Sequence, residues 1–171
     1  VLGANAAAYN AALGSPVSPV QVANQRVGGT NTATLAIRND AAPGAFSEDL
    51  NASIASLGGQ ATGSGSVSGR LANTGNTGTG AITVGVDTSS AGAKTGLVNL
   101  NYQSAGTVNG VSNGLAAIGV GGQSVTVNGN VYQAATGQLV GNTFNFGTLQ
   151  VGQQVSTNLA ARNIAGGANG Y

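Results

Sequence analysis

The chain repeats itself at its ends. Val27, Gly28, Leu35, Ala36, Arg38 and Asn39 recur as Val151, Gly152, Leu159, Ala160, Arg162 and Asn163, six identities in thirteen positions at a constant spacing of 124 residues. Tyr9, Ala11, Ala12 and Gly14 recur as Tyr132, Ala134, Ala135 and Gly137 at a spacing of 123. A fixed period means an array of like units, each placing the same residues in the same structural roles. One period of ~124 residues is long enough to bury a core of its own. The rulers divide the chain into 1–14, the last strand of a preceding repeat; 15–137, one complete repeat; and 138–171, the first strands of a following one. Phe144 and Phe146 then stand where Val20 and Val22 stand. At the same spacing the stop at Gly170-Tyr171 falls on Phe46-Ser47, in mid-motif, as expected of a window on a longer tandem chain.

The hydrophobic period is two. Val20/Val22, Leu35/Ile37, Leu50/Ala52/Ile54, Ile82/Val84/Val86, Val98/Leu100/Tyr102 and Val125/Val127 alternate with small polar residues. Such runs between Gly, Asn and Ser clusters read as strands with one buried face. With a weaker run to Leu71, seven strands are predicted near 17–23, 30–38, 49–56, 62–70, 80–87, 96–104 and 123–133. Gly28-Gly29, Asn39-Asp40, Pro43-Gly44, Gly58-Gly59 and Asn73-Thr74-Gly75-Asn76 supply the turns. The glycine-rich stretch Ala105–Gly122 leaves room for a short extra strand or a flap. No helix is predicted: Ala6-Ala7-Ala8 has good helix propensity, but its echo around Gly129-Asn130-Val131 does not, so it reads as strand. The expected fold is all-β, an immunoglobulin-like sandwich of about seven strands with partial repeats at both ends.

Composition excludes several functions. Only 5% of residues are charged and the net charge is +1, so no basic face exists to neutralise phosphates. No apolar run approaches the ~20 residues of a membrane helix. Cys, Met, Trp and His are all absent from the sequence. Without imidazole or thiol there is no Ser-His-Asp or Cys-His site and none of the usual zinc sites. A chain with so little to oxidise, and five Lys or Arg for basic-directed proteases, suits a long-lived material outside the cell.

Phe144–Gly152, followed by the alternating run to Arg162-Asn163, resembles the opening of abnormal-spindle/hydin-like immunoglobulin domains. Ala45–Ser53, Asp87–Gly96 and Gln123–Tyr132 narrow the likeness: together they resemble bacterial choice-of-anchor D repeats over nearly the whole chain. The resemblance implies secreted, surface-anchored or matrix proteins built of tandem β-sandwich units, with no catalytic residues to carry over.

The remaining polar residues read as structural. Glu48 and Asp49 are adjacent, point to opposite faces of a strand, and read as a solvated strand start rather than an acid–base pair. Asp87 with Thr88, Ser89 and Ser90 reads as a capped turn in preference to a weak calcium site. Lys94, the single lysine, falls in a Gly-rich turn, which argues against a buried Lys–Asn crosslink. Arg38 and Arg162 recur at strand ends and read as exposed. Gly63-Ser64-Gly65 lacks the helix and lysine of a phosphate loop, and Asn51-Ala52-Ser53 is a glycosylation sequon of low specificity. Tyr9, Tyr102, Tyr132 and Tyr171 read as core or rim. No catalytic, cofactor or metal residue is assigned.

The expectation is an extracellular structural protein. Its incomplete end segments pair with neighbouring units, in one tandem chain or by strand donation between subunits. The partner is then an identical or tandem repeat, with no nucleic acid and no membrane insertion. The alternative is an adhesin-type module whose loops, above all Ala105–Gly122, contact a glycan or surface. A β-solenoid shares the composition but repeats every ~20–30 residues, a period not seen here.

Overall fold

The computed structural model describes residues 6–15, 18–72, 78–141 and 143–166. It is all-β, with no helix among the described residues. Five long strands build the wall: β4 (Leu50–Gly59), β5 (Ala61–Arg70), β6 (Thr79–Val86), β7 (Gly92–Ser104) and β10 (Ile118–Tyr132). Short pieces complete it: β1 (Val20–Gln21), β2 (Gln25–Arg26) and β3 (Ala33–Thr34). A hairpin, β8 (Thr107–Val108) and β9 (Val111–Ser112), stands apart, as does the pair β11 (Gly137–Val140) and β12 (Ala160–Asn163).

One hydrogen-bonded path runs β1-β10-β7-β4-β5-β6-β3, with β2 also on β10. The long strands pair antiparallel, while β1 and β2 lie parallel to β10. The path curls round a single core, giving a sandwich- or barrel-like body. The period of two explains which side chains fill it. On β7, Val98, Leu100 and Tyr102 face inward while Thr95, Asn101 and Gln103 face out. Ile82, Val84, Val125, Val127 and Ile37 meet them in the interior. Two ends follow from the register. Leu50, Arg70, Ser104 and Ile118 meet at one end, the roof. Gly59, Ala61, Val86, Gly92 and Val131 gather at the other, the floor.

Several expectations are corrected. The strands predicted near 17–23 and 30–38 shrink to two-residue pieces, with residues 16–17 outside the description. These segments lie on the edges of β10 and β6, where only part of each backbone finds a partner. Residues 6–8 form no strand, and the first pairing of that segment is a bridge from Asn10 to Ser47. The stretch 105–122 divides into the β8–β9 hairpin and the first part of β10. The Asn73–Asn76 turn and Tyr171 lie outside the described residues.

Candidate functional site

Residues 9–15 lie across the roof and touch most of what closes it. The Tyr9 ring meets Phe46 edge-on, with centroids 5.4 Å apart. Asn10 donates to the Phe46 carbonyl at 2.7 Å and accepts from the Glu48 amide at 3.0 Å. The Ala12 amide donates to Ser104 Oγ at 2.9 Å. The Leu13 carbonyl accepts from the Asp40 amide at 2.7 Å, and Gly14 bridges Asn39. Gly14 lies so close to Tyr102 that a Cβ there would come within 2.5 Å of the ring.

Asn39 is the centre of this joint. Its side-chain carbonyl accepts from the Leu13 amide (3.0 Å) and the Ala41 amide (3.2 Å). Its side-chain amide donates to the carbonyls of Glu48 (2.8 Å) and Arg70 (3.1 Å). One buried amide therefore ties together four chain segments.

The acidic pair beside it is buried, not a solvated strand start: Glu48 is 4% and Asp49 1% exposed. Ser104 Oγ donates to Glu48 at 2.5 Å and Asn113 Nδ2 at 2.6 Å. Asp49 takes Thr107 Oγ1 at 2.6 Å and the amides of Gly110 (2.9 Å) and Asn109 (3.1 Å). Neighbours in sequence thus divide the work. Asp49 holds the β8–β9 hairpin, and Glu48 fastens the chain beyond it to the end of β7. Burial of a carboxylate costs several kcal/mol unless donors replace its water, and here they do. The hairpin turns on Asn109 (φ 51°) and Gly110 (φ 79°). Asn-Gly between Val108 and Val111 is the sequence signal of this turn, and the strand pattern alone passed over it.

Burial pushes the Glu48 carboxyl up, but donors from Ser104, Asn113 and the Gly106 amide outweigh it and hold the group below its ordinary 4.5. A lowered folded-state pKa stabilises the fold above the unfolded-state value, and that stability is lost as pH falls through the folded-state value. Wild type is therefore expected to exceed Glu48→Gln by a constant margin above about pH 5, shrinking below about pH 4. Urea midpoints of both proteins across that range check it; a margin that grows on acidification would contradict the assignment.

The same joint is built twice. Gly137 pairs with Asn163 as Gly14 bridges Asn39, both antiparallel. Asn163 Oδ1 accepts from the Thr136 amide (2.9 Å) and the Ala165 amide (3.0 Å), as Asn39 does from Leu13 and Ala41. The Ile164 amide donates to the Thr136 carbonyl at 2.8 Å, as Asp40 does to Leu13. Even the preceding turn recurs: Gly29 to the Arg26 carbonyl at 2.8 Å, Gln153 to that of Gln150 at 3.0 Å. What differs is the surroundings. Leu35 is 2% exposed and its echo Leu159 is 61%; Val22 is 1% exposed and Phe146 is 46%. A Cβ on Gly137 would meet nothing, where one on Gly14 would strike Tyr102.

Other predicted positions are scattered. Lys94 is not in a turn but on the inward face of β7, 3% exposed, its ammonium donating to Ser90 Oγ at 2.8 Å. Asp87 caps its own turn by accepting from the Ser89 amide and hydroxyl, and those bonds lower its pKa. Arg38 is exposed and reaches Asp40, two residues further along the same segment, at 3.3 Å. Arg162 donates to Gln138. Asn51 of the sequon lies in β4, its side-chain carbonyl taken by the Gly69 amide at 3.0 Å. Tyr102 is buried, and burial raises its pKa. Among the described residues no three His, Cys, Asp or Glu side chains gather as a metal site would need. Among the described residues no helix is long and apolar enough to cross a membrane. No protein-family model, curated protein or solved structure matches this chain.

Proposed function

We propose that this chain is a structural repeat of an extracellular bacterial filament or matrix fibre. Its units are immunoglobulin-like sandwiches of the choice-of-anchor D kind, joined head to tail by strand complementation between neighbours, and it carries no enzymatic activity of its own.

The observation that carries this reading is the bare second joint. Residues 137–165 hold the hydrogen bonds of a unit's opening segment, yet Phe144, Phe146, Leu149, Val155 and Leu159 are exposed. Burying one such side chain contributes about 1.5–3 kcal/mol, so the segment gains strongly from strands that cover it. Strands equivalent to β10 and β6 are the pattern of that cover, because those two strands hold the equivalent pieces 20–21 and 33–34 within 15–137. The contact is heterologous, so repetition gives an open chain of units rather than a closed ring. Scarce charge removes like-charge repulsion between stacked copies, and the Asn, Gln, Ser and Thr walls offer hydrogen bonds that salt does not screen. Negative-stain electron microscopy of the purified protein is expected to reveal filaments with a regular axial repeat. Fields of isolated globules at every concentration would sink the reading.

A further inference from the structure

We propose that the roof and the floor of the unit are the two halves of one end-to-end contact, and that the occupant of each is a second copy of this chain. The inference rests on the repeat reading above and adds which surfaces touch.

Two observations carry it. The first is where the exposed apolar side chains lie. Within the described part of 15–137, Phe46, Val111, Leu115 and Ile118 are exposed at the roof. Val27, Leu57 and Leu97 are exposed toward the floor, beside the β4–β5 turn and the end of β10. The wall between presents Ser64, Ser66, Ser68, Asn101 and Gln103. Apolar groups gathered at both ends of a polar cylinder mark surfaces that meet something.

The second observation says what they meet. Tyr132 lies on the floor of its unit, paired with Arg26, and its carbonyl accepts from the Val27 amide at 3.0 Å. Its echo, Tyr9, lies on the roof with its ring against Phe46. One position of the repeat therefore touches the floor of the unit it leaves and the roof of the unit it enters. Gly14 follows Tyr9 by five positions, a reach of at most ~17 Å, so the two ends abut. The hairpin that carries Val111 is held beside the same joint by Asp49, which fixes the roof contact relative to it.

Such a patch is small, so free copies bind weakly and linked copies gain from a high effective concentration. Sedimentation equilibrium of the whole chain tests it, with a floor variant (Leu57→Ser with Leu97→Ser) and a roof variant (Val111→Ser with Leu115→Ser). All four side chains are exposed, so both variants keep the core. Wild type is expected to grow in mass with concentration toward ~1 mM, and each variant alone to associate at least about tenfold more weakly. An equimolar mixture regains one intact floor-to-roof contact per pair and stops at dimers. Variants that associate like wild type would overturn the end-to-end contact while leaving the fibre reading standing, since the 138–166 segment would then drive assembly. A mixture that behaves like its components would overturn it too. Wild type that stays monomeric, with no filaments by microscopy, removes both.

Discussion

Asn39→Ala is expected to lower stability by about 3–5 kcal/mol, whereas Asn163→Ala costs less than about 1 kcal/mol. The two asparagines are echoes of one position and share two hydrogen bonds of the same kind. They differ in what encloses them. Asn39 is buried and also donates to the Glu48 and Arg70 carbonyls, so its loss strands two buried acceptors and two amides. Each orphaned buried group costs about 1–3 kcal/mol, less whatever relaxation or an entering water returns. Asn163 is exposed, and water replaces its bonds. Urea denaturation of the two variants measures the difference. Equal losses would mean that the second joint is already as enclosed as the first. If a neighbouring unit covers 138–166 in the filament, Asn163→Ala becomes costly only there, which thermal melts of assembled and dispersed protein separate.

Gly65→Ala is expected to cost several kcal/mol, enough to lower the melting temperature by roughly 10 °C or more in a domain of this size. Gly65 sits in mid-β5 at φ 95°, opposite Ile82, where the strands approach so closely that a Cβ would lie 2.1 Å from the Ala81 carbonyl oxygen. Two penalties combine: a backbone region that L side chains avoid, and a clash with backbone that has no rotamer to escape into. Gly58→Ala is the control, since a Cβ there would rest at an ordinary 4.0 Å from Leu97. Melting curves of both variants decide it. A mild Gly65→Ala would show that β5 and β6 can part at that point without losing the fold.

Gly65 also shows how far the sequence can be read. In the sequence it is one of thirty glycines, and Gly63-Ser64-Gly65 looks interchangeable with any Gly-Ser stretch. Its necessity lies in the Ala81 carbonyl across the ladder, which no local pattern reveals. Glu48 and Asp49 teach the same lesson from the opposite side. Reading them as solvated follows from the cost of burying charge, a rule that holds unless donors replace water. The donors come from Ser104, Thr107 and Asn113, between 56 and 65 residues away, and only the approach of β4 and β7 at the roof collects them. A Gly-rich flank makes Lys94 read as part of a turn, whereas β7 starts two residues before it, at Gly92, and turns the lysine inward.

By itself, then, the sequence determined the all-β class, the five long strands and their inward faces, because a period of two needs no partner to be read. The recurrence of residues is also visible without coordinates, and the echoed asparagines share two side-chain hydrogen bonds of the same kind. Only the tertiary structure decided which polar residues are buried, which glycines cannot change, and how little of the opening segments becomes strand. Those properties depend on neighbours distant in the chain; residues 137–165, whose strands pair only with each other, stay exposed.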